Sequence, residues 1–326
     1  MTATTAAGPG GPPPAPSLIT PELLAAFRVG EVSGRYTFIV TREHIKRFAG
    51  VLAHRTQEEQ VVFDGDPGDG PPLAAPTVFF AALDPLELRI MSHDHGLNLI
   101  PFRKTGGGNA FNAIEYARPL LSGDVVTVAV TYTDIYEREG RSGKLLFRVR
   151  ENTLTDRHGE RIGLARSGHA YAFEVPGYQP PARAGRAGAP EPTGPEGGEE
   201  LPPLVRTPTI ETLVRYAAAA DDFAPLHFDH NYALSRGYDG VIVHGFLKAG
   251  YMASMVEAWA GPGAFVKRFR AEYRGADYPG RPITCRGRVT RRHEEDGRPA
   301  ADVDLRTERA DGSVSTHGSA TVLFPG

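Results

Sequence analysis

Downstream of residue 203 the apolar positions fall into three successive patterns. Ile210, Leu213, Val214, Ala217 and Ala218 recur at helical spacing behind Thr209, which predicts an N-capped helix. Residues 246–259 carry Phe246, Leu247, Ala249, Gly250, Met252, Ala253 and Val256 with hardly a polar face, so the second helix is expected to be buried, and Gly261-Pro262-Gly263 stops it. Residues 265–273 then alternate, with Phe265, Phe269, Ala271 and Tyr273 on one face and Arg268, Arg270 and Glu272 on the other. Further strands are expected at 283–291, 300–307 and 315–323, separated by the turn signals Glu295-Asp296-Gly297 and Asp311-Gly312.

The first half offers the same order of parts. A strand at 36–40 leads to Thr41, which caps a helix through Leu52; an apolar segment follows at 78–91, where Pro85 predicts a kink, and strands are expected at 112–116, 125–136, 144–155 and 163–173. Little residue identity links the halves, so the repeat is architectural. Two stretches, 1–17 and 179–203, replace apolar periodicity with Pro, Gly, Ala and other small or polar residues, and they read as a disordered tail and an interdomain linker. This division leaves domains at 18–178 and 204–326, and 326 residues exceed what one core of ordinary size needs. The fold class expected is α+β. Gly106-Gly107-Gly108 lacks the Lys-Ser/Thr of a phosphate loop and reads as a hairpin or lid, with His93, Asp94 and His95 nearby.

Charge and cysteine usage narrow the partners. A net charge of -3 gives no global attraction for nucleic acid or an anionic membrane. Cys285, the one cysteine, has no partner for a disulfide or a zinc ribbon, and the start of the chain lacks a basic, apolar leader, so a cytoplasmic location is expected. No apolar run approaches the roughly 20 residues that cross a bilayer.

One window concentrates chemistry. Residues 219–245 gather Asp222, His227, Asp229, His230 and His244 around the turn formers Pro225, Gly237 and Gly240, between two apolar helices where desolvation shifts proton affinities. Five residues of loop turned by Pro225 would set Asp222 beside His227, and a carboxylate and an imidazole sharing one water can take a proton from it and deliver one elsewhere. Gly245 opens the second helix, where uncommitted backbone N–H groups suit a developing oxyanion. Read blandly, Asp222 ends the first helix, His227 is a hydrogen-bonded loop histidine, His244 braces the loop from beneath, and Asp229 and His230 form a turn.

The run Asp222-Phe223-Ala224-Pro225-Leu226-His227 resembles the D-x-N-P-x-H core of MaoC-like (R)-specific enoyl thioester hydratases and dehydratases, with Ala224 in place of the Asn. Asp229 and Ala233 fit its continuation, and Gly240 to Gly245 is similar to the G-x-I-x-H-G that leads into the family's central helix; Ala220-Asp221 stands where Ser-Gly is usual. In the first half, Arg118-Pro119, Ser122-Gly123-Asp124 and residues 153–159 resemble the dehydratase-like domain that partners such hydratases, without an Asp-x4-His loop. The resemblance implies a double hot-dog, in which each antiparallel sheet wraps a central helix. It also implies hydration of a trans-2-enoyl thioester, or the reverse dehydration, by Asp222 and His227 with Gly245 as oxyanion donor. The N-terminal copy would hold the acyl chain, and Pro225, Tyr238, Val243 and His244 are expected around the substrate.

No metal and no cofactor is expected beyond the coenzyme A or acyl carrier protein that bears the acyl group, and two chains are expected to pair as a homodimer. Arg268, Arg270, Arg274 and Arg281 read as a solvated strand face, with phosphate binding as the minor alternative. Three rival functions remain open: a non-haem iron site built from His227, Asp229 and His244, a hot-dog thioesterase, and an acyl-thioester-binding subunit without turnover.

Overall fold

The computed structural model describes residues 15–53, 71–82, 96–140, 143–179 and 198–326. Most of the 78–91 segment, His93, Asp94, His95, and most of the tail and linker lie outside the described residues. In chain order the elements are α1 (Pro21–Phe27), β1 (Val32–Ile39), α2 (Arg42–Leu52), α3 (Phe79–Ala82), β2 (Arg103–Tyr116), β3 (Val125–Glu139), β4 (Lys144–Thr155) and β5 (Arg161–Glu174). After the linker come β6 (Leu204–Arg206), α4 (Ile210–Ala220), α5 (His230–Ser235), α6 (Gly245–Ala260), β7 (Phe265–Tyr273), β8 (Ile283–Glu295), β9 (Arg298–Glu308) and β10 (Val314–Leu323).

The ten strands among the described residues form one sheet in the order β1-β3-β4-β5-β2-β7-β10-β9-β8-β6, and each of their pairings is antiparallel. Read from either edge inward the two halves run through equivalent strands: β1 corresponds to β6, β3 to β8, β4 to β9, β5 to β10 and β2 to β7. The halves meet where Phe111–Glu115 of β2 pairs with Arg268–Glu272 of β7. The seam between the two half-sheets is thus made within one chain.

Local chemistry explains the boundaries. Thr41 and Thr209 each follow an edge strand and accept from the backbone N–H of His44 and Thr212, so each half enters its first helix through the same kind of cap. The face of α4 differs from the one expected: Leu213, Tyr216, Ala217 and Ala220 are buried, whereas Ile210 and Val214 are half exposed. β8 and β9 extend to a two-residue hairpin because Asp296 and Gly297 both take φ > 0 (52° and 69°), the turn whose twist matches its strands. A register shift between Thr321 and Val322 turns Val266 into the core and leaves Phe265 only partly buried, which breaks the strict alternation read from β7.

The Gly106-Gly107-Gly108 run is not a hairpin or lid. It lies within β2, paired with Ala172, Tyr171 and Ala170 of β5, and a Cβ at Gly107 would stand 3.0 Å from the Tyr171 ring. Arg118 forks onto both oxygens of Asp124 at 2.8 and 3.0 Å, and Asp124 also accepts from Leu121 N, so this motif is a structural clamp at the entrance to β3.

The main core surrounds α6, whose Leu247, Tyr251, Met252, Ala253 and Val256 are inaccessible to solvent. At Gly250 a Cβ would meet Leu52 Cδ2 at 2.5 Å, so the glycine permits α2 and α6 to approach closely. α2 also packs on α4 through Phe48 and Tyr216, with ring centroids 5.8 Å apart. A second core forms under α1 from Leu23, Phe27, Leu97, Tyr132, Leu146 and Phe173. Helix capped by threonine, buried helix, then four antiparallel strands is the hot-dog layout, and it is complete in the second half, where β8, β9 and β10 form a meander and β7 returns beside β10.

Candidate active site

α4 ends when Asp221 takes a left-handed conformation (φ 54°), which swings the chain out of the helix and hands over Asp222. Asp222 therefore follows the cap and does not serve as it. Its Oδ1 accepts from Ala224 N at 3.3 Å, and Pro225–His227 then make one tight 3-10 turn that brings His227 back. The loop is fixed from the other side as well, since Ile242 N donates to the Leu226 carbonyl at 3.0 Å.

Asp222, His227 and His244 come together, with one carboxylate oxygen and one nitrogen of each ring all within 4.8 Å of one another. His227 Nδ1 lies 2.8 Å from the Ile242 carbonyl. A carbonyl only accepts, so Nδ1 carries the proton and Nε2 keeps its lone pair. Burial pushes the His227 proton affinity below its usual value, while Asp222 and the Ile242 carbonyl pull it back up. His227 is consequently neutral at neutral pH and able to accept a proton.

His244 is fully buried and lies beneath the pair. Its Nε2 donates to the Asp222 backbone carbonyl at 3.2 Å, and its ring stacks on His227 with centroids 3.7 Å apart and planes 23° from parallel. Burial first, and the neighbouring His227 second, hold its proton affinity well below the normal range. These bonds fit the bracing role, because no face of His244 is open to a substrate. Among the described residues its Nδ1 has no partner, nor has the hydroxyl of Tyr216, whose buried ring centre lies 4.7 Å from that of His244. Tyr216, overlooked in the sequence, shares the buried stripe of α4 with Leu213 and Ala217, and that stripe was the available signal.

The three side chains could be taken for metal ligands. Their geometry disfavours a single ion, because nearly parallel stacked rings aim their in-plane lone pairs side by side rather than at one point. The iron triad suggested by sequence fails differently: the Asp229 carboxylate caps α5 by accepting from Tyr232 N at 2.9 Å.

Gly245 begins α6, and His244 gives that end no side-chain cap. A Cβ at Gly245 would lie 3.2 to 3.4 Å from the Tyr273 ring, so the aromatic ring closes over this backbone and only glycine fits without displacing it. One turn further on, Lys248 is buried with Asp277 at 2.7 Å and also donates to the Gly275 carbonyl at 2.9 Å. Arg309 reaches the other Asp277 oxygen at 3.0 Å, and the Asp277 carbonyl accepts from Val243 N at 2.8 Å. Val243 is thus a buried anchor for the residue pair His244-Gly245.

A cleft of about 360 Å³ opens beside the loop between β2, β5 and α5. Pro225 and Tyr238 line it together with Gly107, Tyr171, Ala224 and Arg236, whereas the side chains of the Asp222–His227 pair do not. The arginines expected to form a solvated face are ion-paired: Arg268 with Glu295, and Arg270 and Arg274 with Glu272. Arg281 stacks on Tyr278 instead, 5.4 Å from the ring centre.

The MaoC-like domain model matches residues 197–310, and the FAS1-like dehydratase region model matches residues 28–164. The chain thus combines a FAS1-like dehydratase region with a MaoC-like domain. An (R)-specific enoyl-CoA hydratase from Aeromonas caviae is 27% identical over 114 residues, which cover 35% of this chain and 84% of that protein. A solved MaoC-like dehydratase superposes with a TM-score of 0.67 at 21% identity, covering 93% of this chain and all of that one (100%). The MaoC-like dehydratase from Phytophthora capsici gives 0.61 at 16% identity, over 94% and 99% of the two chains. These likenesses establish the double hot-dog fold. Among the described residues no helix is long and apolar enough to cross a membrane.

Proposed function

We propose that the protein hydrates a trans-2-enoyl thioester to the (R)-3-hydroxyacyl thioester, or runs the reverse dehydration, with Asp222 and His227 as the reacting pair. The observations that carry this reading are the commitment of His227 Nδ1 to the Ile242 carbonyl, which leaves the Nε2 lone pair as the proton acceptor, and the approach of Asp222 and His227 to within 4.8 Å. A water held between them loses one proton as its oxygen bonds to C3, and the pair returns one proton to C2. The pair ends with as many protons as it began with, and the substrate gains one water. Charge that builds on the thioester oxygen during the attack is met by the Gly245 amide at the uncapped start of α6.

The Aeromonas relative supports the reaction class by its name. The acyl group is carried on coenzyme A or an acyl carrier protein, and the N-terminal half holds it. The test is loss of enoyl-thioester absorbance with purified protein. Asp222→Asn and His227→Ala should each lower kcat by at least about 100-fold, the usual worth of a positioned acid or base. An unchanged rate refutes the assignment, and thiol release from a saturated acyl thioester would identify a thioesterase.

A further inference from the structure

The Tyr216 hydroxyl and His244 Nδ1 are buried beside the reactive loop, and neither has a hydrogen-bond partner among the described residues. They come from different elements. Tyr216 belongs to the buried stripe of α4, with its ring centre 5.8 Å from that of Phe48 and 4.7 Å from that of His244, the residue that precedes α6. Protein interiors rarely leave such atoms unsatisfied, and an ordered water commonly joins two of them where no protein group reaches.

The two atoms are complementary. His244 Nε2 faces the Asp222 carbonyl at 3.2 Å, and a carbonyl only accepts, so the proton sits on Nε2 and Nδ1 presents a lone pair. What Nδ1 needs is a donor. Burial first, and then the Asp222 charge, raise the Tyr216 proton affinity well above its usual value, so the phenol keeps its hydrogen and can offer it.

The bond secured by this proton placement holds the backbone of the reactive carboxylate. Ala224 stands where the related motif carries Asn and brings no side-chain amide to the loop. Asp222 is tied through its N–H to the Ala217 carbonyl at 3.1 Å and through its own carbonyl to His244 at 3.2 Å. A proton on Nδ1 instead would set lone pairs of Nε2 and the carbonyl face to face and loosen the loop.

We propose that Tyr216 is a positioning residue for the reaction: through one buried water it donates to His244 Nδ1, keeps the His244 proton on Nε2, and so fixes Asp222 beside His227. The inference rests on the hydratase reading for its link to turnover. The same donor favours a neutral His244. That matters because the His227 ring, stacked 3.7 Å away, becomes a cation whenever it takes the proton from water, and a second charge beneath it would oppose the transfer. The other titratable groups around His244 are Asp222 in the loop and Tyr273 over Gly245, while Lys248 on the same helix is engaged by Asp277.

The experiment uses Tyr216→Phe in the full chain, which keeps the packed ring and removes the hydroxyl. Magnetic resonance of protein carrying 15N-labelled histidine reads the His244 nitrogens, assigned by their loss in His244→Ala, and kcat and KM are measured across pH. The wild type should show His244 with Nε2 protonated and Nδ1 bare. In Tyr216→Phe the bare-nitrogen signal should move and the two signals converge as the second tautomer becomes populated. The value of kcat should fall about fivefold, or about 1 kcal/mol, the worth of one hydrogen bond, with KM within about twofold. The acid limb of kcat should move to higher pH, because neutral His244 has lost its donor.

Unchanged His244 signals in the variant overturn the proposal even where kcat falls, since the loss is then one of packing. So does an unchanged kcat with an unmoved acid limb. A wild-type spectrum with the proton on Nδ1 overturns it without any variant. A chain that turns over no enoyl thioester, yet whose His244 signals respond to Tyr216→Phe, would support the tautomer link and refute the hydratase reading. Turnover that depends on Asp222 and His227 while the His244 signals stay unmoved would do the reverse.

Discussion

Replacing Lys248 by Met removes one partner from a buried charge pair and leaves the other in place. Both side chains are about 3% exposed, and Lys248 loses a 2.7 Å bond to Asp277 and a 2.9 Å bond to the Gly275 carbonyl. Stranding a buried carboxylate typically costs about 3–5 kcal/mol. Here Arg309 still reaches the second oxygen at 3.0 Å, which favours the lower end, about 3 kcal/mol. Burial also holds the Lys248 proton affinity below normal, with Asp277 opposing that shift, so the pair is kept charged by its own contact. Urea unfolding measured for Lys248→Met, Asp277→Asn and the double variant should show the double variant less destabilised than the sum of the two. Because the Asp277 carbonyl holds Val243 N, turnover should fall as well. A loss below about 1 kcal/mol in Lys248→Met would refute the reasoning, since it would mean that the carboxylate finds solvent or sufficient compensation in Arg309.

Four further outcomes follow from the same geometry. Gly245→Ala should lower kcat by about 10²-fold in the enoyl absorbance assay with little loss of stability, because the added methyl meets the Tyr273 ring at 3.2 Å and displaces one from the other. His244→Ala should cost about 10²-fold in kcat through loss of the bond to the Asp222 carbonyl, with KM the less affected constant. Activity should fall on the acid side at a midpoint below pH 6.5, because burial lowers the His227 proton affinity; a limb centred above that value would contradict the neutral tautomer. Glu257 accepts from Thr77 N and Oγ1 at 2.9 and 2.6 Å, and its burial raises its proton affinity above that of the unfolded chain. Its favourable contribution is therefore complete below the unfolded value and is lost as pH rises through the folded one, so Glu257→Gln should flatten the pH dependence of urea stability across that window.

How legible the molecule was in its sequence depended on the range of the forces involved. Thr41, Thr209 and the apolar run of α6 act within a few residues, so both first helices and the central helix could be read directly. The loop motif placed Asp222, His227 and Gly245 near one another by spacing and resemblance. Pairing across the sheet was not legible: the glycine triplet looks like a loop until β5 lies beside it, and the β7 arginines look solvated until Glu295 arrives from the β8–β9 hairpin. Burial of a polar residue was hidden for the same reason. Lys248 falls outside the apolar pattern of its helix, and the chain near Asp277, almost thirty residues later, makes it a core residue.

The internal two-fold arrangement of strands also explains how one half can differ from the other. The N-terminal half carries no Asp and His at the spacing of Asp222 and His227, so the inner face of its sheet is released from that constraint. It has used the freedom. Adjacent positions on β4 and β5 bury Arg148, Arg150, Asn152, Ser167 and His169 between the two apolar clusters, where a plain hot-dog core would hold aliphatic residues. Arg148 sits among the rings of Phe27, Tyr132 and Tyr171, with its guanidinium carbon 5.2 to 5.6 Å from each centre. Three aromatic faces can hold a desolvated cation only weakly, so such a residue persists where packing of the half is already secured by its neighbours. His169 and Tyr171 from this same row form one wall of the cleft beside the reactive loop, and His169 stands opposite Arg148 in the sheet. Under the proposed function the N-terminal half contributes one wall of that cleft, while the reacting pair comes from the second half.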